Sequence, residues 1–362
     1  MPDGSHSKKQ RAPADSKQDR NRRMLLDSNV YFDFLALTHP ELQISTTRLP
    51  VPSFIAPLDT REPLLQGPMR SLLSAVKKVM PGPVTPPSLF LGSPFERYCQ
   101  HALLDTVDDL SALKRICVDV AKKESLDLVV VTNLRATEDI TPWLDEGFVA
   151  LPSFPDTVID LDVASFDEHL MRLPQGNRSG IRRNIRKFEK QGHRLRRLAP
   201  HEKLGKNLYE TYRPYFDDAT VQWFPHNDAY FDGLAAIDDD VFVTIAESST
   251  SHLLGFIVNF LDGTSFQSGR IGVHRDFHKE DAVYFRLIYH VVEEAIAKGS
   301  GTLSLEPTGY RMKRHLGARV IPQVNLCLGV SPLWRTLLSS FSGVGKKLLS
   351  HLEEPEVLEK NY

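Results

Sequence analysis

Two segments of the chain that lie 170 positions apart carry the same pattern, and this repeat constrains the fold more than any other feature. LDEGFVALP at Leu144–Pro152 matches RHLGARVIP at Arg314–Pro322, with a glycine and a proline in the same places. Glycine after an amphipathic stretch is typical of a helix C-terminus, where the backbone often needs a positive φ. The apolar run that follows in each copy predicts a strand. We therefore interpret the chain as a tandem duplication of one helix–strand unit.

Helix and strand patterns upstream of the two matched segments follow the same order. VAKKESLDLVVV (120–131) in the first half corresponds to IAKGSGTLSL (296–305) in the second, so each half has a helix, a turn and a buried strand. SFIAPLD (53–59) corresponds to GFIVNFLD (255–262), and the second half continues through Asp262-Gly263 into a hairpin partner. Alternating elements of this kind predict an α/β fold, here an α+β mixed sheet.

Composition divides the chain further. Residues 1–24 contain almost no large hydrophobic side chain and are predicted to be disordered, because they cannot bury enough apolar surface to offset chain entropy. We divide the remainder into an N-terminal unit (25–165), a basic helical connector (166–198), a C-terminal unit (199–332) and a helical tail (333–362).

The connector is the most basic part of a chain that is otherwise near neutral, with 44 basic and 46 acidic residues. Between Arg172 and Arg197 ten residues are Lys or Arg, and only Glu189 is acidic. The spacing predicts a helix over Asn177–Gln191 that docks through an apolar face. Four basic residues, spaced four apart, share another face of this helix: Arg178, Arg182, Arg186 and Lys190.

This basic row has three interpretations. It is a solvated helix face, or it binds an anion such as the phosphates of a cofactor or of RNA, or it reads duplex DNA. No DNA-recognition motif is present and the chain is not basic overall, which argues against duplex DNA. The first two interpretations remain open.

Other classes of protein are disfavoured by what the sequence lacks. The longest apolar run is about half of the roughly 18–20 residues that span a bilayer, and the N-terminus has no apolar signal core. Cys99, Cys117 and Cys327 show no metal-binding spacing, and His274 with His278 lacks a third ligand. We therefore expect a cytoplasmic protein with no membrane span and no metal.

The second half, from GFIVNF through GRIGVHRDFHKEDAVYFRLIYHVVEEAIAKGSGTLSLEPTGYRMKRHLGARVIP, resembles the GNAT acyltransferases. It has their strand pair, long helix ending in glycine, strand, short helix and final strand. Two such units separated by a basic helical segment resemble the Fem-like and CelD-like acyltransferases, over about residues 50–330 and most strongly over 165–325. The resemblance implies two tandem GNAT-like units that transfer an acyl or aminoacyl group from a thioester or ester to a small-molecule amine.

Three donors are compatible with this resemblance, namely acyl-CoA, an acyl-carrier protein and aminoacyl-tRNA, so tRNA or a carrier protein is a further expected partner. Members that bind acetyl-CoA hold its pyrophosphate on a glycine-rich turn at a helix N-terminus. The equivalent stretch here, HRDFHKEDAVYF (274–285), has no glycine, and bulky side chains would crowd a pyrophosphate. One alternative is therefore a tRNA-dependent aminoacyl transferase, and another is a non-catalytic GNAT-like protein that binds an anionic ligand.

The resemblance also implies candidate site residues. Glu247 and Glu306 end predicted strands, where side chains point into the cleft of such a sheet and can take a proton from an amine. Tyr310 lies at the start of the short helix, where the family often has its general acid. The residues expected to bind the anionic donor or substrate are Arg178, Arg182, Arg186, Arg270, His274 and Lys313.

Overall fold

A computed structural model describes residues 25–340, except 61–67, 81, 83, 94, 96–108, 136–137, 219–223, 275–276, 278–280 and 308. The predicted disordered tail and residues 341–362 of the predicted helical tail lie outside the described residues. The described strands are β1 (Ser53–Pro57), β2 (Pro87–Leu91), β3 (Leu128–Arg135), β4 (Val149–Asp160), β5 (Arg194–Arg197), β6 (Val241–Glu247), β7 (Leu253–Asp262), β8 (Ser265–Val273), β9 (Thr302–Ser304) and β10 (Arg319–Gly329). The described helices are α1 (Asn29–Thr38), α2 (Pro68–Val79), α3 (Leu110–Lys123), α4 (Thr141–Asp145), α5 (Phe166–Arg172), α6 (Gln175–Lys190), α7 (Gly205–Asp217), α8 (Asp228–Leu234), α9 (Val283–Ala297), α10 (Tyr310–His315) and α11 (332–340).

The ten strands form one mixed sheet, which agrees with the predicted fold class. Their order is β1-β2-β3-β10-β4-β9-β8-β7-β6-β5. The pairs β2–β3 and β8–β9 are parallel, and the other neighbours are antiparallel. A parallel pair needs a crossover connection, and α3 and α9 supply one in each unit.

The two units exchange a strand at the centre of this sheet. β10, the last strand of the C-terminal unit, lies between β3 and β4 of the N-terminal unit. β4 in turn lies between β10 and β9, a strand of the C-terminal unit. Each unit is therefore completed by a strand of the other, and the hydrogen bonding of the sheet continues across both.

The pairing of β4 with β10 relates the two units by an approximate twofold axis. Ser153 pairs with Gln323, and these residues are 170 positions apart, which is the offset between the matched sequence segments. On the outer sides of this central pair, β9 is antiparallel to β4 and β3 is antiparallel to β10. The predicted tandem duplication is thus confirmed by the topology.

The helices have bounds close to those that the sequence predicts. The basic helix was expected over 177–191 and is observed as α6, which begins two residues earlier after Pro174 and ends one residue earlier. Gly192 follows it with φ +73°, a left-handed conformation that glycine adopts without steric cost. Gly147 and Gly317, the glycines of the repeat, also have positive φ and end α4 and α10.

Apolar clusters cover both faces of the sheet. α6 and α9 pack together on the face of the C-terminal unit that carries the β8–β9 crossover, and Ile181 and Phe188 of α6 are buried there. Burying such a side chain stabilises the fold by about 1.5–3 kcal/mol. α1, α7 and α8 pack on the opposite face. None of the helices in the described ranges is long and apolar enough to cross a membrane.

Candidate active site

β8 and β9 are parallel neighbours that separate after three residue pairs, which opens a fork in the sheet. Their last pair is Gln267 with Ser304, and β8 then continues to Val273 whereas β9 ends. The chain after β9 stays with β4, because the Leu305 N–H donates to the Thr157 carbonyl oxygen at 2.8 Å. Peptide groups of β8 beyond the last pair are therefore not used by β9, and a fork of this kind can offer N–H donors to a carbonyl oxygen.

Glu306 places a buried carboxylate in this fork. Its Oε1 accepts a hydrogen bond from Gln267 Nε2 at 2.9 Å, and its Oε2 lies 3.6 Å from the Arg270 guanidinium. Both partners belong to β8, so the carboxylate connects the two separated strands. A buried charge is tolerated only with such partners, because removing it from water is costly.

The backbone of Glu306 is held in an unusual conformation. Its φ is +60°, which is uncommon for a residue other than glycine. Lys313 Nζ donates to three successive carbonyl oxygens around this residue, at 2.5 Å to Leu305, 2.7 Å to Glu306 and 3.0 Å to Pro307. The sequence predicted Lys313 as an anion ligand, whereas its ammonium group is directed to the backbone and fixes the turn that carries Glu306.

Burial lowers the pKa of Lys313 to about 8, and the nearby carboxylates Glu306 and Asp156 raise it in part. The carbonyl acceptors also favour the ammonium form. The side chain is therefore protonated at neutral pH, as its three donated hydrogen bonds require.

Arg270 is fixed on its other side by a neutral histidine. Its Nε donates to His226 Nε2 at 3.1 Å, and one terminal nitrogen donates to the Phe95 carbonyl oxygen at 2.6 Å. Burial holds the pKa of His226 well below its ordinary value, and the charge of Arg270 lowers it further. Arginine has only donors, so His226 must present a lone pair at Nε2 and carry its proton on Nδ1.

Asp156 on β4 extends the polar network toward the N-terminal unit. The residue is fully buried, and Ser304 Oγ donates to its Oδ1 at 2.8 Å. Arg135, the last residue of β3, is 3.1 Å from Oδ2. Sequence reasoning missed this residue, although an aspartate inside the apolar run of β4 was a signal of buried polar function.

Tyr310 is the first residue of α10 and is buried beside this network. Its hydroxyl donates to the Pro155 carbonyl oxygen at 2.9 Å. The phenol predicted as a general acid is thus close in sequence to Glu306, but its proton is engaged with β4.

Two further predicted residues lie elsewhere. Glu247 ends β6, three strand positions from β9 or about 14 Å at ordinary strand spacing, where its carboxylate pairs with Arg194 at 3.2 Å and Arg196 at 2.9 Å. His274 follows β8 and is exposed, with its Nε2 3.3 Å from the Thr211 hydroxyl. The structure does not bring either residue into contact with Glu306.

The three arginines of the basic row have different surroundings. Arg178 donates to the Met171 and Leu173 carbonyl oxygens at the end of α5, at 3.1 and 2.9 Å. Arg182 is half exposed and 3.3 Å from Asp167. Arg186 is exposed. The predicted single row is therefore one helix-capping residue followed by a solvent-facing basic surface.

The N-terminal unit has apolar side chains where the C-terminal unit has this network. The approximate twofold axis and the paired registers assign the equivalent positions. The equivalents are Trp143 for Lys313, Leu326 for Asp156, Val129 for Ser304 and Leu89 for Gln267. All four are buried in the core. At these four positions the polar network is therefore confined to the C-terminal unit, whereas a buried uncharged cluster of Asn133, Ser153 and Asn325 lies around β3.

The start of α9 is where a glycine-rich turn would hold a pyrophosphate. Ala282 precedes the helix with φ +59°, and no side chain caps the helix there. Asp281, immediately before it, is 3.2 Å from His193 Nε2. Much of the preceding segment lies outside the described residues, so crowding by its side chains stays a prediction. Within the part of the chain that is described, no group of three or more His, Cys, Asp or Glu residues could hold a metal ion.

Comparison with known proteins finds similarity in structure and none in sequence. No protein-family model and no curated protein matches the chain. The crystal structure of FemX aligns with a TM-score of 0.54 and 11% identity, over 87% of this chain and 94% of that one. The C-terminal domain of a putative lysylphosphatidylglycerol synthetase from Agrobacterium fabrum aligns with a TM-score of 0.52 and 10% identity, over 92% and 96%. L-PGS from Bacillus licheniformis aligns with a TM-score of 0.50 and 10% identity, over 71% and 82%.

Proposed function

We propose that this chain, which has the Fem-like fold of the GNAT superfamily with two tandem units, is an N-acyltransferase that works at the β8–β9 fork. It transfers an acyl or aminoacyl group from a thioester or ester donor to an amine. The observation that carries the proposal is the Glu306 carboxylate, buried between Gln267 and Arg270 where two parallel strands separate. Similarity of fold to FemX and to the C-terminal domain of a putative lysylphosphatidylglycerol synthetase supports the reaction class without fixing the substrates.

The proposed chemistry needs one proton acceptor and one site for negative charge. The amine nitrogen attacks the donor carbonyl carbon, a C–N bond forms, and the carbonyl oxygen becomes an oxyanion. Peptide N–H groups of β8 beyond Gln267 stabilise that oxyanion. Glu306 accepts the proton that the nitrogen loses. The C–S or C–O bond then breaks, and the leaving thiolate or alkoxide receives the proton.

Three residues have positioning roles in this scheme. Lys313 holds the turn of Glu306, and Gln267 orients its carboxylate. Arg270, fixed by His226, holds the Glu306 carboxylate in position through its guanidinium. Tyr310 remains a candidate acid for the leaving group, and in that role it must release the Pro155 carbonyl oxygen.

A second candidate, transfer from aminoacyl-tRNA, is supported by the charges around the fork. Asp281 puts a carboxylate at the start of α9, where a bound pyrophosphate would be repelled. The exposed basic residues of α6 and the strand after it could instead contact the phosphates of RNA. These exposed residues are Arg182, Arg183, Arg186, Lys187, Lys190, Arg194 and Arg197.

Two experiments test the proposal. A thermal-shift panel compares acyl-CoA esters, an acylated carrier protein and aminoacyl-tRNA, because a ligand that binds the folded state raises the melting temperature. Once a donor is known, Glu306→Gln should lower kcat by about 10²–10⁴-fold, since the amide has nearly the same shape and cannot act as a base. An unchanged kcat removes Glu306 from the mechanism, and a panel without any stabilising donor favours a non-catalytic binding protein.

A further inference from the structure

Helix α2 carries apolar side chains on the side that faces solvent. Leu72, Val79 and the adjoining Met80 expose 58%, 82% and 57% of their surface. Leu73 and Val76 are partly exposed, and no residue of 71–80 is buried. An amphipathic helix of a globular protein normally turns its apolar face to the core. In α2 the apolar face is instead turned toward solvent.

The exposed apolar residues form one continuous face. Positions 72, 76, 79 and 80 follow the spacing of neighbours on one side of a helix. Lys77 and Lys78 lie on the two borders of that face. Lys77 is 3.1 Å from Asp59, and both side chains remain about one-third exposed. Residues 68–80 contain three basic residues and no acidic one.

We infer that α2 is a peripheral anchor that lies on an anionic lipid surface. An apolar face bordered by lysines is the arrangement of helices that bind in the plane of the lipid–water interface, with the apolar side chains below the headgroups. The lysines match the negative charge of such headgroups. The exposed side chains of Leu72, Val79 and Met80 are the part that would enter the acyl region.

The size and charge of the face favour lipid over a second protein. A helix of twelve residues is about 18 Å long, and one side of it cannot supply the roughly 800 Å² per partner that a stable protein interface buries. A second copy of the chain would also bring the lysines on the borders of the two faces close to one another. An anionic lipid surface instead supplies both unlimited area and the opposite charge.

The position of α2 links this anchor to the candidate active site. β3, β10, β4 and β9 are successive antiparallel neighbours, so β9 runs opposite to β3 and to its parallel partner β2. The C-terminal end of β9 therefore lies at the same end of the strands as the first residue of β2. α2 is in the connection from β1 to β2, and its Lys77 pairs with Asp59 just after β1 at that same end of the strands. A consequence that rests on the proposed function is that the fork opens toward the lipid surface.

The experiment is co-sedimentation of the full-length protein with vesicles of phosphatidylglycerol and phosphatidylcholine, compared with vesicles of phosphatidylcholine alone. The test variant is Leu72→Gln with Val79→Gln. The matched control is Leu37→Gln with Val30→Gln, which removes a Leu and a Val that are 83% and 53% exposed on α1. We expect the wild type and the control to bind the anionic vesicles equally, and the test variant to bind at least about tenfold more weakly.

A charge variant gives an independent readout. Lys78→Glu should weaken binding to anionic vesicles several-fold. The binding that remains should depend less on salt concentration than that of the wild type. No donor or acceptor is needed, so failure of lipid binding and failure of the transfer reaction are separate results.

Four outcomes would overturn the inference. The wild type does not bind anionic vesicles, or the test variant binds as well as the control. Alternatively, analytical ultracentrifugation shows a dimer that only the test variant converts to a monomer, which identifies an interface between copies. Finally, the test variant lowers the melting temperature far more than the control does, which means that another part of the chain covers the face.

Discussion

Lys313 donates a hydrogen bond of 2.7 Å to the carbonyl oxygen of Glu306 and thereby holds a left-handed residue at the fork. A non-glycine residue in this conformation costs of order 1–3 kcal/mol and persists only where surrounding contacts fix it. The two other carbonyl oxygens bound by the same ammonium group are those contacts. Several predictions concern this relationship between a buried cation and a proposed base.

The buried ammonium group should make stability depend on alkaline pH. The pKa of Lys313 is about 8 in the folded protein against 10.5 in the unfolded chain. Between these values the unfolded chain binds more protons, so the free energy of unfolding rises with pH, by up to about 3 kcal/mol for the whole interval. Lys313→Met lacks this titration. Urea unfolding of both proteins at pH 7 and pH 10 measures the difference, and parallel changes in the two proteins would contradict the assignment.

Replacing Lys313 should also impair catalysis without affecting substrate affinity. Lys313→Met releases the 305–307 turn, and a displacement of the carboxylate by about 1 Å can cost on the order of 10² in kcat. KM should change little, because Lys313 contacts backbone and not substrate. The control is Trp143→Leu at the equivalent position of the N-terminal unit, which should lower stability but leave kcat per folded molecule unchanged. Equal kcat losses in the two variants would show that the effect is general destabilisation.

His226 should matter through Arg270. His226→Phe keeps an aromatic ring in the stack with Tyr230, whose centroid is 3.8 Å away, but removes the acceptor of the Arg270 Nε–H. We expect kcat to fall about tenfold, because the partner of the Glu306 carboxylate is no longer fixed. His39→Phe is the matched control in the same aromatic cluster, since His39 Nδ1 is bonded to Thr38. Steady-state kinetics of both variants measures this difference. A larger kcat loss in His39→Phe than in His226→Phe would argue against a positioning role for His226.

The basic helix should separate into a structural and a binding part. Arg178→Gln removes the donor to two carbonyl oxygens at the end of α5 and should lower the free energy of unfolding by about 1 kcal/mol. Arg182→Gln with Arg186→Gln should leave stability unchanged, because both side chains are exposed. If the donor is aminoacyl-tRNA, the double variant binds it more weakly and with a shallower salt dependence. Unchanged tRNA affinity in that variant would leave α6 as a solvated face.

The sequence was sufficient for the repeat and for the order of elements. Periodicity reports which face of an element is apolar, and a glycine marks where a helix must end, so α9, α10 and β10 could be predicted closely. The exchange of β4 and β10 could not be predicted, because periodicity does not specify which distant strand is the partner. This exchange of strands is, however, what places Asp156 beside Ser304.

Gln267, which binds the Glu306 carboxylate, and His226, which binds Arg270, were missed for the same reason, whereas Arg270 itself was predicted. Gln267 and His226 come from separate elements that only the folded sheet brings to the fork. Residues that do come together, such as Glu306 and Lys313, are seven positions apart in the chain and could be proposed as a group. The exposure of α2 is a tertiary property, since its sequence pattern alone is that of an ordinary core-facing helix.

The last prediction concerns Tyr310, for which the sequence and the structure suggest different sizes of the kcat loss on removing the hydroxyl. A general acid at the leaving group contributes about 10²–10⁴-fold to kcat, and the position of Tyr310 at the start of α10 led us to expect that role. Its hydroxyl, however, donates to the Pro155 carbonyl oxygen at 2.9 Å inside the core. A proton held in this way is available to a leaving group only after that hydrogen bond breaks.

We therefore expect Tyr310→Phe to lower kcat by less than about tenfold and to lower the free energy of unfolding by about 1 kcal/mol, which is the ordinary contribution of one hydrogen bond. The ring and its packing are retained, so the comparison isolates the hydroxyl. Steady-state kinetics and urea unfolding on the same preparation give both numbers. A kcat loss above about 10²-fold with unchanged stability would restore Tyr310 as the acid. The expected result would instead mean that the leaving group is protonated by the proton that Glu306 has accepted from the amine.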